Sequence, residues 1–95
     1  MEIVINRGYG GFGLSEKACE YLGLSKDDSY AYNAYVTRTE PKLIECIKAL
    51  GEDASSRSAH LKVVTIPEES TDYCIENYDG AEIVIYVIDG KIHKA

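Results

Sequence analysis

The spacing of apolar residues predicts alternating strands and helices over the first half of the chain. Residues Glu2–Asn6, which are rich in β-branched side chains, predict a first strand, and Tyr30–Thr37 predicts a second. A short helix is predicted after Ser15, a residue favoured at helix N-caps, because apolar residues then recur at helical spacing until Gly23. The clearest helix is predicted over Pro41–Leu50, where apolar side chains form one stripe and proline suits the first helical position.

The second half of the chain predicts a meander of strands. A third strand is predicted over Leu61–Ile66, and two more over Tyr73–Tyr78 and Glu82–Ile88, joined by an Asp-Gly sequence typical of hairpin turns. A second Asp-Gly pair precedes Lys91–Lys94, a short edge strand whose lysines would protect it from pairing with other chains. Because the residues before this second turn are apolar without alternation, we expect their strand to be central and buried on both faces.

The predicted order of elements is β-α-β-α-β-β-β, which indicates an α+β domain. Alternation in the first half favours parallel crossovers and the meander favours antiparallel pairing, so a mixed β-sheet with two packed helices fits the pattern best. The chain of 95 residues has the length of one domain and shows no linker or internal repeat, so residues 1–95 are interpreted as a single α+β domain.

Charge and composition narrow the range of partners. The net charge of −6 disfavours nucleic acid and anionic membranes as partners. No apolar run approaches the roughly 18 residues of a membrane span, and the N-terminus lacks the features of a secretory signal, which predicts a cytoplasmic protein. Cys19, Cys46 and Cys74 are odd in number and match no metal-binding spacing, so they are interpreted as small apolar core or near-surface residues, and we expect no metal. We expect no cofactor either.

A glycine-rich segment, Gly8–Gly13, is the first candidate for ligand chemistry. Its sequence fits G-x-G-x-x-G, follows a strand and opens a helix, as in dinucleotide-binding proteins. The helix is too short for a dinucleotide fold, however, and Leu14 stands where a phosphate-binding P-loop has lysine. An RNA-recognition segment fits only with one inserted glycine. A tight strand-to-helix connection is the structural alternative.

Two arginines support the interpretation of this segment as a ligand site. If the first two strands are parallel neighbours, their carboxyl ends lie together, and Arg7 and Arg38 approach the same rim. Guanidinium groups, free backbone amides and aromatic rings suit a small anionic ligand, phosphate-bearing or carboxylate, including one derived from a nucleotide. A surface or rim ion pair is the alternative role for each arginine. The predicted ligand-binding residues are Asn6, Arg7, Gly8, Gly10, Gly11, Phe12, Gly13, Ser15 and Arg38.

Other side chains give two further hypotheses. Eight tyrosines and an acidic surface indicate a protein-interaction or inhibitor module that acts on a host protein or forms a homo-oligomer, with no small-molecule ligand. An enzyme is placed last, because no nucleophile–base pair or metal-ligand spacing is visible, and His60 and His93 are interpreted as surface residues. Glu82 flanks the hairpin turn and is given no further role.

Several separated segments carry a family resemblance. They are Ile5-Asn6, Gly10–Ser15, Arg38–Ile44, Leu50-Gly51, Leu61–Pro67 and Tyr78–Glu82. In this order they resemble a group of small uncharacterised proteins found in phage, prophage and bacterial genomes, over most of the chain. The resemblance implies a phage accessory protein and supplies no catalytic or binding role. The chain departs from the pattern at Ile83–Ile85, where a tryptophan-containing segment is expected.

Overall fold

A computed structural model describes residues 1–24 and 37–95 of the protein. These residues form helices and strands together, which confirms the α+β class. The elements follow the predicted order, although residues 30–36 of the predicted second strand lie outside the described part of the chain. The strands are β1 (Glu2–Asn6), β2 (Leu61–Thr65), β3 (Asp72–Tyr78), β4 (Ala81–Ile88) and β5 (Lys91–Lys94). The helices are α1 (Glu16–Leu22) and α2 (Pro41–Leu50), and a 3₁₀ turn follows at Gly51–Ala54.

The described strands form two sheets. β1 pairs with β2, so that Glu2 lies opposite Thr65 and Asn6 lies opposite Leu61. β3, β4 and β5 form a separate meander in that order. Every strand pair within the described part of the chain is antiparallel. The parallel neighbour expected for β1 falls on residues outside that part, so this expectation stays a prediction.

Local capping chemistry sets the helix ends where the sequence predicts them. The Ser15 side chain accepts a hydrogen bond from the backbone N–H of Ala18 at 3.1 Å and so caps α1. Gly23 ends this helix in the left-handed region, with φ at 73°. Pro41 opens α2, and Gly51 follows its last residue. Neither described helix could span a bilayer, given its length and composition.

Among the described elements, the β1–β2 sheet lies in the middle. On one side Val4 packs with buried residues of both helices, among them Leu43. On the other side Ile3 and Ile5 pack against Val84 of β4. The sheet therefore separates a helical layer from the β3–β4–β5 sheet, and complete burial of such side chains stabilises the fold by about 1.5–3 kcal/mol each.

β4 is the central strand of its sheet, as predicted, but only one of its faces is buried. Val84 contacts the core between the two sheets. Ile83 and Ile85 project to the opposite side, because side chains alternate along a strand, and they are half-buried there. Neither belongs to an apolar cluster of the described residues. The expectation of burial on both faces is therefore wrong over the described part of the chain.

Candidate functional site

Asn6, the last residue of β1, is fully buried and joins three parts of the chain. Its side-chain oxygen accepts hydrogen bonds from the backbone N–H groups of Gly8 at 3.0 Å and His60 at 2.8 Å. Its side-chain nitrogen donates to the carbonyl oxygens of Gly8 and Gly80, each at 2.7 Å. A side-chain amide accepts two hydrogen bonds and donates two, so Asn6 uses its full capacity within the protein. The geometry gives this predicted ligand contact a structural role.

Arg38 and Glu82 form an ion pair inside the protein, with side chains only 19% and 6% exposed. The two terminal guanidinium nitrogens donate to the two carboxylate oxygens at 2.6 and 3.0 Å. One carboxylate oxygen also accepts the backbone N–H of Asn6 at 2.7 Å. The ring of Phe12 lies under the guanidinium group, 3.9 Å from its central carbon. A bidentate contact and a cation–π contact therefore hold this arginine from two sides.

The ion pair gives Arg38 one of the two roles considered for it. Through Phe12 the guanidinium group reaches the glycine-rich segment. Its charge, however, is matched by Glu82, and its backbone carbonyl accepts the N–H of Val4 at 2.8 Å. The structure therefore shows the ion pair, formed in the interior rather than at the surface.

Glu82 is the residue that sequence reasoning missed. It is 5% exposed and is the second residue of an otherwise apolar central strand. Because carboxylates are almost never buried without a partner, a glutamate at this place is itself a signal of a buried pair. Its partner Arg38 is 44 residues away along the chain, and no local spacing connects the two.

The glycine-rich segment Gly8–Gly13 packs along the chain that leads into β2. The backbone N–H of Arg7, just before the segment, donates to the carbonyl of His60 at 2.8 Å. A β-carbon at Gly10 would overlap the side chain of Ser58, so a larger residue does not fit there. Close packing thus explains part of the glycine pattern without a ligand, in agreement with the alternative of a tight strand-to-helix connection.

The turn between β3 and β4 closes the other side of the segment. A β-carbon at Gly80 would overlap the carbonyl oxygen of Tyr9 and lie 2.7 Å from the nitrogen of Gly11. Gly11 itself has open space beside its α-carbon. The hydroxyl of Ser15 donates to the carbonyl of Asp53, so this predicted site residue serves the start of α1.

Three basic residues gather at the end of the β1–β2 sheet beside the glycine-rich segment. We call Arg7, His60 and Lys62 the basic rim. Arg7 lies opposite His60 through their backbone hydrogen bond, and His60 and Lys62 have the spacing of residues on one side of a strand. All three are exposed. Among the described residues, none of them forms an ion pair with a carboxylate.

Exposed tyrosines and carboxylates lie near the same end of the molecule. Tyr9 is 80% exposed and its backbone packs against the β3–β4 turn. Tyr78, at the end of β3, is 56% exposed, and its hydroxyl donates to Glu76. That hydrogen bond raises the pKa of the Tyr78 phenol above its ordinary value. With Asp79 of the turn, these residues form what we call the tyrosine patch: Tyr9, Glu76, Tyr78 and Asp79.

A groove of about 330 Å³ lies at the opposite end of the β1–β2 sheet. Met1 and Ile66 line one side of it, and the start of β3 lines the other. The hydroxyl of Ser70 is buried there without a hydrogen-bond partner among the described residues. The groove is therefore separate from the basic rim and from every residue predicted to bind a ligand.

The cysteines are divided between the core and the surface. Cys19 and Cys46 are buried in the helical layer, and Cys74 is exposed on β3. Burial raises the pKa of the Cys46 thiol and so keeps it protonated. Within residues 1–24 and 37–95, no three His, Cys, Asp or Glu side chains are grouped as metal ligands.

Comparison of the chain with family models, with curated proteins and with solved structures gave no match. The site is therefore interpreted from its own geometry.

Proposed function

We propose that the protein binds a small anionic ligand at the basic rim, beside the glycine-rich segment. The observation that carries this proposal is the grouping of Arg7, His60 and Lys62, which lack a carboxylate partner among the described residues. In a chain with a net charge of −6, carboxylates outnumber basic groups. Three basic groups that lie together without a carboxylate partner among the described residues therefore favour an external anion as their partner.

The neighbouring ion pair supports the same proposal. The carboxylate of Glu82 contacts the end of β1 but is matched by Arg38, so it does not offset the charge of the rim. Arg7 supplies the planar fork of donors that suits bidentate contact with phosphate or carboxylate. Because the rim is exposed, its charges are screened by salt, and we expect modest affinity that falls as ionic strength rises.

Tyr9 favours a nucleotide-derived ligand within this class. Its exposed ring stands two residues after Arg7 and offers a flat face for stacking. Stacking of a base on an aromatic side chain contributes about 1–3 kcal/mol. A mononucleotide would combine a phosphate for the rim with a base for this ring. An accessory role in phage or prophage is the setting that the family resemblance adds to the proposal.

Thermal unfolding in the presence of inorganic phosphate and a panel of mononucleotides tests the proposal. A ligand at 100 times its dissociation constant is expected to stabilise the protein by about 2.7 kcal/mol. Arg7→Ala and Lys62→Ala should each reduce this gain, because each removes one charge from the rim. Lys91→Ala removes the same charge from an exposed position on β5 and should leave the gain unchanged.

Two outcomes would count against the ligand. One is a panel in which no compound stabilises the protein at millimolar concentration. The other is an Arg7→Ala variant that is stabilised as much as the Lys91→Ala control, since the proposal requires the rim to make the contact.

A second proposal is a protein-interaction or inhibitor module that acts through the tyrosine patch. The exposed rings of Tyr9 and Tyr78 beside two carboxylates favour it, because such rings suit interfaces and the charge suits a basic protein surface. Tyr78→Ala should abolish capture of a host partner from a lysate. Tyr73→Ala, at the far end of the same strand, is the control and should retain it. Equal capture by both variants would contradict this proposal.

A further inference from the structure

The second sheet has an outer face that is apolar at its centre. In β4, Ile83, Ile85 and Val87 alternate with the residues that contact the β1–β2 sheet. Residues directly opposite them on β3 and β5 project to the same side. We call this set the outer face, and it consists of Asp72, Cys74, Glu76, Ile83, Ile85, Val87, Ile92 and Lys94.

Within the described part of the chain, neither helix makes extensive contacts with the β3–β4–β5 sheet, and the apolar residues of β4 on the outer face are half-buried. Ile75, Val84 and Tyr86, on the inner side of the sheet, belong to the apolar cluster between the two sheets. No outer-face residue belongs to that cluster or to the cluster of the helical layer. Ile92 is 70% exposed, and Cys74 is exposed as well. A contiguous apolar surface with a polar border marks an interaction site more often than a single exposed side chain does.

Charges of opposite sign lie on the two edges of the outer face. Asp72 and Glu76 stand on β3, and Lys94 stands on β5. Ile85 lies between them, opposite Cys74 on one side and Lys94 on the other. A face with one negative and one positive edge is complementary to itself once a second copy is turned so that unlike edges meet.

We propose that the outer face binds a second copy of this chain about a two-fold axis that runs parallel to the strands through Ile85. This axis places β3 of each copy over β5 of the other. Lys94 of each copy then lies near Asp72 and Glu76 of the other copy, and the apolar centres pack together. A two-fold axis across the strands would place β3 over β3 and bring like charges together. Charge therefore selects the first arrangement.

The size of the outer face indicates a reversible dimer. β4 has 8 residues, which at about 3.3 Å each, with three strands about 4.8 Å apart, gives a face of about 26 Å by 14 Å. Two such faces together remain below the roughly 1,000 Å² expected of a stable specific interface. The dimer should therefore form at high concentration and dissociate on dilution.

Sedimentation equilibrium of the whole chain from about 1 μM to about 1 mM tests the proposal. We expect a monomer–dimer equilibrium that tightens at low salt, because unlike charges meet across the interface. Ile85→Lys places a charge at the apolar centre and should raise the dissociation constant about tenfold or more. Tyr21→Lys adds the same charge to an exposed site on α1, on the other side of the β1–β2 sheet, and should leave the dissociation constant unchanged. If Ile85→Lys does not fold by circular dichroism, Ile92→Lys replaces it.

Charge reversal tests the orientation. Lys94→Glu and Glu76→Lys each bring like charges together in their own dimers, so each variant alone should dimerise several-fold more weakly at low salt. Mixed in equal amounts, the two variants should form a heterodimer that is tighter than either variant's own dimer, because the contacts between positions 76 and 94 become attractive on both sides of the axis. A mixture that associates no better than its components would overturn the orientation.

Three results would overturn the dimer itself. The wild-type chain could stay monomeric at about 1 mM in low salt, which would leave the outer face to a different partner. The charged variant of the apolar centre could dimerise as well as wild type. Association could also continue beyond dimers, as expected for strands that pair edge to edge in an open chain.

Discussion

At the scale of single residues, Asn6, Arg38 and Glu82 form one connected polar cluster. Glu82 accepts hydrogen bonds from the backbone of Asn6 and from the side chain of Arg38. Asn6 in turn holds the backbone of Gly8 and Gly80. Buried polar groups stabilise a fold when their partners are present and weaken it when a partner is lost. The cluster therefore makes the protein sensitive to replacement of any one member.

Glu82→Ala is expected to lower the free energy of unfolding by about 3–5 kcal/mol, because it leaves the Arg38 guanidinium group buried without its carboxylate. The backbone N–H of Asn6 loses its acceptor in the same step. Urea denaturation followed by circular dichroism measures the change.

The matched control is the double variant Arg38→Met/Glu82→Leu. It removes both charges and should be more stable than Glu82→Ala, since no unpaired charge stays inside. The Asn6 N–H still lacks an acceptor, which keeps a cost of about 1–3 kcal/mol. A double variant that is less stable than Glu82→Ala would show that the two side chains do not act as a pair.

The sequence singles out Asn6 and Arg38, but it does not single out Glu82, which accepts hydrogen bonds from both. Both stand at the ends of predicted elements, where a polar residue invites a functional interpretation. Glu82 is 44 residues from Arg38 and 76 from Asn6, and a contact over such a distance leaves no periodic trace. The predicted ligand-binding residues therefore include Asn6 and Arg38, which belong to a structural cluster. They do not include His60 and Lys62 of the basic rim.

At the scale of elements, two Asp-Gly turns give the β3–β4–β5 meander its register. Each turn joins directly paired residues, Tyr78 to Ala81 and Ile88 to Lys91. In both turns the aspartate and the glycine have positive φ, which matches the two-residue hairpin turn that suits twisted strands. The turns differ in surroundings, because only the first packs against the glycine-rich segment.

Gly80→Ala should destabilise the protein more than Gly90→Ala, by about 1–3 kcal/mol. Both changes force alanine into a positive φ, at 94° and 75°, so the backbone strain is similar. A β-carbon at Gly80 meets the carbonyl of Tyr9, whereas one at Gly90 meets none of the described residues within 4 Å. Thermal denaturation of the two variants side by side measures the difference, and equal losses would contradict the close contact at Gly80.

Elements whose ends depend on neighbouring residues were predictable. Ser15, Pro41 and the two Asp-Gly pairs act on adjacent backbone, so their effect can be read from the sequence. The partner of β1 could not be read in the same way. β1 pairs with β2 in antiparallel fashion, and this pairing joins residues far apart in the chain, such as Glu2 and Thr65. The parallel neighbour that the alternation predicts lies outside the described residues.

At the scale of the whole molecule, the described elements form three layers, and the two outer layers pack on one central sheet. The helical layer and the β3–β4–β5 sheet each pack on a different face of β1 and β2. The basic rim lies at one end of the central sheet, and the outer face lies beyond the third layer. Ligand binding and self-association are therefore proposed for separate surfaces, and each can be tested without the other.

The shared central sheet predicts that the layers unfold together. Ile3→Ala should lower the free energy of unfolding by about 2–5 kcal/mol and reduce the hydrogen-exchange protection of β4 as well as β1. Ile92→Ala, at a position 70% exposed, is the control in dilute solution and should cost about 0.5 kcal/mol or less. Unchanged protection of β4 in Ile3→Ala would show that the two sheets open independently.

The distance along the chain between Asn6 and Glu82 also constrains how the protein is made. The two residues are 76 positions apart, and at about 5–20 residues per second a ribosome needs about 4–15 seconds to pass from one to the other. Before Glu82 is synthesised, the nascent chain contains Arg38 without its carboxylate partner. During the same interval the backbone N–H of Asn6 has water in place of its carboxylate acceptor. The nascent N-terminal portion can collapse during this interval, but it reaches its final state only when the last hairpin emerges.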